Sequence, residues 1–412
     1  MPGFENPRVH DQEQTVTDAA PVPRVARVTG VDVARGTALF GMMSAHVFAY
    51  FNLQGAPSIS TVITAGRSVA TFAVIAGVSM AFMSGGIQVV QGRERTAVAA
   101  GLVVRALLIG AIGLALGMLA RLNDVSGILP FYALLFLLAI PLIGCPPLVL
   151  AGVAAGVIVV GPVLLVATAR APLPYAVSGT EPTFSTLVHD PLGLLVLLLV
   201  TGGYPVVVYL AYICAGLAIG RLDLTSCRVA WWLLGGGIAL AVVARLSSAL
   251  LLYPLGGLEA LVAASRPDNT AVGTVRMLLW DPDSPTSWWY LALPAPHSHT
   301  PVDLLHTLGS AGAVLGAALL LTRRPFLARV LWPLAAAGSM VLTLYSLHLL
   351  LLATGVLRTQ PAVLYPLMVL GAIAFALLWR RWLGQGPLER VIAVLAGQTR
   401  RRVANRLARR PR

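Results

Sequence analysis

Apolar runs of about 18 or more residues recur along the whole of this 412-residue chain, and each is long enough to cross a bilayer core of about 30 Å. A soluble fold of this size has no interior large enough to hide so many of them. Only 11% of the residues are charged, where a soluble domain carries about 25%. The expected fold is therefore all-α: a polytopic transmembrane bundle of about ten spans. The apolar periodicity places helices at roughly 30–51, 61–84, 97–120, 128–145, 147–168, 193–220, 229–252, 303–321, 332–354 and 362–383. The 193–220 stretch is too long for one simple span. Its Thr201-Gly202-Gly203-Tyr204-Pro205 interruption predicts a kink, or a short re-entrant piece followed by a full helix.

Arginine supplies the orientation. All 29 basic residues are arginine. With the N-terminus inside, the inner segments hold Arg8, Arg24, Arg27, Arg93, Arg95, Arg221, Arg228, Arg323, Arg324, Arg329, Arg380, Arg381, Arg390 and the tail cluster from Arg400 to Arg412. The outer loops hold Arg121, Arg170, Arg266, Arg276 and Arg358. That asymmetry follows the positive-inside rule and favours an even number of spans, with both termini cytoplasmic. The organisation expected is a polar N-terminal segment (1–28), a membrane domain (29–385) with an outer loop at about 254–302, and a basic cytoplasmic tail (386–412) that suits anionic lipid. A multi-pass protein of the plasma (inner) membrane follows. The tryptophans and tyrosine at 288–290 suit a membrane interface or a sugar-stacking surface, of which the interface is favoured.

Other classes are set aside. The net charge of +13 is carried by inter-helix loops and the tail, so topology explains it and no nucleic-acid partner is expected. Cys145, Cys214 and Cys227 are far apart and form no C-x-x-C pair. The polar, acidic start is no signal peptide. Small-residue spacings such as Gly113…Gly117 and Gly312…Gly316 suit close helix packing and permit a homodimer.

Ionisable groups inside a bilayer cost roughly 2.5–3.5 kcal/mol each on insertion scales, so each asks for a reason. The first helix holds three. Asp32 and Arg35 stand three apart and can pair. His46 follows Arg35 by eleven residues on the same helix face, roughly 16 Å along the axis. A bland reading has Arg35 snorkel, Asp32 pair with it and His46 fill a polar niche. Three such groups on one stripe favour function. His348 follows Tyr345 by three on the ninth helix; helix packing is its bland role. Arg67 opens the second helix on the outer side, as an interface anchor or as a holder of an anionic group. Arg105 stands in the third helix near the inner side, where it can neutralise phosphate or snorkel. Asp303 and His306 begin the eighth helix three residues apart, and Asp303 also suits a helix N-terminus. With His297, His299, His189 and Asp190 these are metal-ligand types without a recognised spacing, and no metal is expected. Arg245, deep in the seventh helix, has no evident partner in the sequence.

The stretch Asp32-x-x-Arg35-Gly36…His46 resembles the first-helix motif of transmembrane acyltransferases, including the acyltransferase type 3 family. The chain as a whole resembles more closely the bacterial YeiB-like relatives of heparan-alpha-glucosaminide N-acetyltransferase. Gly66-Arg67-Ser68, Phe72 to Ser79, Gly203-Tyr204-Pro205, Pro296 to Pro301, Leu342 to Tyr345 and Gly386-Pro387-Leu388-Glu389 carry that likeness. The lysosomal enzyme's histidine lies in the loop after its first shared helix, whereas 52–61 here contains none; His46 corresponds to the type 3 pattern.

The resemblance implies an enzyme. Acetyl-CoA or another acyl-CoA would dock from the cytoplasm with its phosphates on Arg35 and Arg105, which suit oxyanions by permanent charge and fork geometry. His46 would act as general base on an extracytoplasmic glycan or glycolipid hydroxyl or amine, or would take the acyl group itself. Asp32 would orient Arg35. Arg67, Asp303, His306, Tyr345 and His348 are the substrate-binding candidates, and membrane lipids are the surroundings. The alternative is a transporter or flippase of a polar or lipid-linked solute that uses the same buried groups for proton coupling; no internal repeat supports it.

Overall fold

The computed structural model describes residues 28–120, 127–170, 181–265, 271–282, 285 and 287–409. The N-terminal segment with Arg8, Arg24 and Arg27 lies outside the described residues. So do Arg121, Arg266, the segment 171–180 and the last three tail residues.

The described chain is helical and contains no strand. In order come α1 (Thr29–Val47), α2 (Ile59–Thr64), α3 (Arg67–Met83), α4 (Gly92–Ala120), α5 (Leu129–Ala139), α6 (Pro147–Arg170), α7 (Phe184–His189), α8 (Pro191–Val196) and α9 (Val206–Gly220). Then follow α10 (Cys227–Leu252), α11 (Gly257–Ala264), α12 (Ala271–Trp280), α13 (Pro301–Leu321), α14 (Pro325–Val330), α15 (Trp332–Gly338), α16 (Val341–Ala353), α17 (Pro361–Leu383) and α18 (Pro387–Ala408). Each of the ten expected segments is helical. Among the described residues six stretches are long and apolar enough to cross a membrane, and eight if each of two bent pairs is one span. The protein is a multi-pass membrane protein. Helix α5 is shorter, at 11 residues, and α1 carries Asp32, Arg35 and His46.

The two bent pairs differ in how far the sequence announces them. The first joins α8 and a π-helical turn (Leu197–Thr201) to α9 at 61°. It falls at the Gly202-Gly203-Tyr204-Pro205 interruption that predicts it. The second joins α15 to α16 at 82°, inside the stretch read as one continuous helix, 332–354. Three contacts explain it. Ser339 Oγ turns back onto the Ala336 carbonyl at 2.7 Å, closing α15. A Cβ on Gly338 would lie 1.9 Å from the Asp32 carbonyl oxygen, so α15 must end hard against α1. The new N-terminus of α16 is met by a carboxylate from α18. The Thr343 N–H donates to Glu389 Oε1 at 3.1 Å and the Thr343 hydroxyl to Oε2 at 2.6 Å. A carboxylate at a helix N-terminus is favoured by the helix dipole.

Close helix packing rests on glycines as the spacing suggests. A Cβ on Gly113 would meet Pro130 of α5 at 2.6 Å, and one on Gly316 the Leu234 nitrogen of α10 at 2.4 Å. Gly312 is roomier, with its nearest contact at 3.5 Å. These faces pack within the chain, so they no longer argue for a second copy. The tail is also engaged: α18 lies along α4, with Arg400 bonded to Glu94 at 3.3 Å and Ile392 buried. Arg221 is a buried clamp, donating to the Ser84 and Gly86 carbonyls at 3.1 and 2.7 Å. In the outer loop α11 and α12 form a small cap. Trp289 packs over Gly257 and Tyr290 is buried; of the three aromatics, only Trp288 is exposed like an interface anchor.

Candidate active site: two cavities and a shared wall

Helix α1 connects two cavities. Arg35 lines the inner one, of about 300 Å³, with Ser79, Arg105, Ser339, Tyr345 and Glu389. Arg35 is firmly held. Its Nη1 donates to Asp32 Oδ1 at 3.0 Å and to the Gly338 carbonyl at 3.2 Å, and its Nη2 to Ser79 Oγ at 2.7 Å. The close crossing of α1 and α15 at Gly338 is what brings that carbonyl within reach. Arg105 is different. Arg35 and Glu389 are charges within its electrostatic reach, but it makes no hydrogen bond or ion pair among the described residues. A guanidinium without such a partner beside a cavity is poised for an anion.

The outer cavity, of about 170 Å³, is lined by His46, Tyr50, Thr61, Gly66, Tyr204 and His297 among others. Met42, Ile128 and Tyr345 line both cavities and form the wall between them. Tyr345 is fixed there, its hydroxyl accepting the Ile128 N–H at 3.1 Å.

His46 does not stand alone. Its Nδ1 lies 3.0 Å from Nε2 of His348, and the two rings stack with centroids 5.3 Å apart. Tyr345 meets His348 edge-on at 4.9 Å. The structure thus joins three candidates from helices 300 residues apart in sequence. When His46 Nδ1 is the donor of the pair, its Nε2 carries a free lone pair and can act as a base.

The roof of the outer cavity is strained. His297 and His299 have positive φ, 59° and 56°, a region that costs of order 1 kcal/mol or more for residues other than glycine. Two bonds hold them. The Gly66 N–H donates to His297 Nε2 at 3.2 Å, and the His299 N–H to Asp303 Oδ2 at 3.2 Å. Burial pushes His297 down to about 4; His299 falls to about 3 through burial and the neighbouring His297. Both are therefore neutral at ordinary pH. Their rings join an aromatic cluster with Tyr204 and Tyr209. Among the described residues no group of three or more His, Cys, Asp or Glu is arranged to hold a metal.

Arg67, Asp303 and His306 gather behind Gly66 and do not line the outer cavity. Arg67 Nε donates to His306 Nε2 at 3.1 Å, so His306 Nδ1 carries the proton and donates to the Ala241 carbonyl at 3.2 Å. Arg245 gains its account here, because Asp303 lies within electrostatic reach of both Arg245 and Arg67. Sequence reasoning missed Tyr50, and it knew Ser79, Tyr204, His297 and Glu389 only as parts of other motifs. None of these five carries a local signal for a cavity, since long-range packing alone brings them together.

In this helical membrane protein Arg35 and Arg105 line one cavity, and His46 and His297 line the neighbouring one. The catalytic domain of heparan-alpha-glucosaminide N-acetyltransferase matches residues 27–255, more than half of the chain. The chain belongs to that family, a family of membrane acetyltransferases whose donor in general is acetyl-CoA. No curated protein and no solved structure matches it. The matched residues include Asp32, Arg35, His46, Arg67, Arg105 and Arg245, and end before Asp303, His306, Tyr345 and His348.

Proposed function

We propose that this protein moves an acetyl group from cytoplasmic acetyl-CoA to a hydroxyl or amino group of an extracytoplasmic glycan or glycolipid. The observation that carries the reading is the pair of cavities that share Met42, Ile128 and Tyr345, with Arg35 and Arg105 on one side and His46 on the other. The arginine asymmetry supports about ten crossings with both ends cytoplasmic, which turns the inner cavity toward the donor pool of a bacterial plasma membrane.

In this reading phosphates of the donor meet Arg105 and Arg35, and Asp32 with Ser79 keeps Arg35 aimed. The thioester reaches the wall at Tyr345. The acceptor enters the outer cavity and attacks the thioester carbonyl as His46 Nε2 takes its proton. The tetrahedral intermediate expels the coenzyme A thiolate, which takes up a proton and leaves as the thiol. His348, bonded to His46 Nδ1, fixes the tautomer that leaves Nε2 basic. Tyr345 borders both substrates, while Arg67, Asp303 and His306 support the outer cavity from behind.

The test uses purified protein, radiolabelled acetyl-CoA and a panel of amino sugars and glycan hydroxyls. Label transfer by wild type and its loss in His46→Ala, with an unchanged melting temperature, is the expected result. Transfer by His46→Ala at the wild-type rate would remove the site assignment. Solute uptake driven by a proton gradient without any coenzyme A compound would favour transport instead.

A further inference from the structure

Beside the outer cavity lies a second cationic cluster that lines neither cavity of the proposed transfer. It has four members: Arg67 at the start of α3, Arg245 on α10, and Asp303 and His306 on α13. Arg245 makes no hydrogen bond or ion pair among the described residues. Arg67 is tied by Nε to His306 and by Nη1 to the Val62 carbonyl, and no bond among the described residues engages its Nη2. The chain of contacts from Arg67 through His306 to the Ala241 carbonyl ends one helical turn from Arg245, on the same face of α10. Asp303 is the carboxylate within reach of both arginines, but its Oδ2 accepts the His299 N–H and no ion pair within 4.0 Å joins it to either. His306 has both nitrogens occupied and adds no charge in that tautomer. Two permanent cations thus face at most one carboxylate, an arrangement that selects an anion.

The position identifies the anion's carrier. Arg245 lies seven residues from the end of α10 and His306 five residues into α13, about 8–10 Å inside the outer helix ends. With side-chain reach added, that is the depth of the outer headgroups in a bilayer about 40–45 Å thick overall. The neighbouring side chains are exposed and apolar: Val242 and Leu246 beside Arg245, and Ile63 before Arg67. Acyl chains, not water, suit such a border.

We infer that Arg67 and Arg245 form a binding site for the phosphate of a lipid headgroup in the outer leaflet. The bound lipid is a neighbour of the outer cavity, because Arg67 directly follows the cavity-lining Gly66. The depth rests on the orientation proposed above; the anion selectivity does not.

The test is the melting temperature of the purified full-length protein in detergent with three probes. Phosphatidic acid carries phosphate and tails, glycerol 3-phosphate carries phosphate alone, and diacylglycerol carries tails alone. Phosphatidic acid should raise the melting temperature of wild type, and the other two should not. Arg245→Gln breaks no bond among the described residues and should melt like wild type without ligand, yet need at least tenfold more phosphatidic acid for the same shift. Arg228→Gln, at the inner end of the same helix, should respond like wild type. Undiminished phosphatidic acid binding by Arg245→Gln would overturn the site. An equal shift with glycerol 3-phosphate would overturn the lipid as carrier. Acetyl-CoA should shift wild type and Arg245→Gln alike; if it shifts neither, the transfer reading fails while the phosphate site stands or falls on its own probes.

Discussion

The inner and outer cavities meet at one wall but are made of different materials. The inner cavity is a largely apolar space that carries the charged groups Arg35, Arg105 and Glu389: Arg35 is bonded to Asp32, Ser79 and the Gly338 carbonyl, and Arg105 makes no bond among the described residues. Imidazole, phenol and hydroxyl groups dominate the outer cavity, with neutral, half-buried histidines beside it on a strained backbone. Charge without a partner suits a polyanion that arrives and leaves whole. Neutral, fixed hydrogen-bonding groups suit an uncharged alcohol or amine whose proton must be taken. In the proposed reaction the contrast suits a donor at one end of the helix stripe and an acceptor at the other.

The largest expected effect breaks the outer side. His46→Ala should lower acetyl transfer about 10²–10⁴-fold, the usual contribution of a general base, with acetyl-CoA binding intact. Loss of acetyl-CoA binding along with activity would show that the two cavities are not separable. The next effect belongs to the inner side. Arg105→Gln should weaken acetyl-CoA roughly tenfold or more, as for a charge-assisted bond worth about 1.5–3 kcal/mol, in a ligand titration. Its ligand-free melting temperature should hold, because the side chain forms no bond to the described residues.

A smaller effect tests the crossing that aims Arg35. A Cβ at Gly338 falls 1.9 Å from the Asp32 carbonyl oxygen, so Gly338→Ala must push α15 off α1. Overpacking of this kind costs about 1–3 kcal/mol and should lower both the melting temperature and acetyl-CoA affinity. An unaffected affinity would mean that Arg35 does not depend on the Gly338 carbonyl. The smallest effect is in the roof. Folding holds His297 near 4, below its ordinary 6.5, so the unfolded chain binds more protons between those values. Stability is then full above about 6.5 and falls as pH drops toward about 4, at no more than ~1.4 kcal/mol per pH unit for this one group. His297→Gln should flatten that part of a melting-temperature profile; an unchanged slope would place the sensitivity elsewhere.

How much of this is legible in sequence depends on whether a feature is local. The helices are local, and apolar run length finds all ten segments. The break at 202–205 is local too, written in two glycines and a proline. The 82° break after Gly338 is not, because it depends on the α1 backbone on one side and on Glu389 of α18 on the other. The site divides the same way. Asp32, Arg35 and His46 share one helix and can be read as a stripe from their spacing. That His348 meets His46, that Ser79 anchors Arg35, and that Arg245 faces Asp303 are tertiary facts with no periodic trace. Arg67 shows the limit of position alone: it stands next to a cavity-lining residue, yet its side chain turns to His306.

The most direct test of the two-sided account is transfer in proteoliposomes of defined orientation, with labelled acetyl-CoA on one face and an acceptor sugar on the other. Label should reach the acceptor only when acetyl-CoA is on the face that carries α18 and the acceptor is opposite. Transfer at the same rate with donor and acceptor together on either face would contradict it.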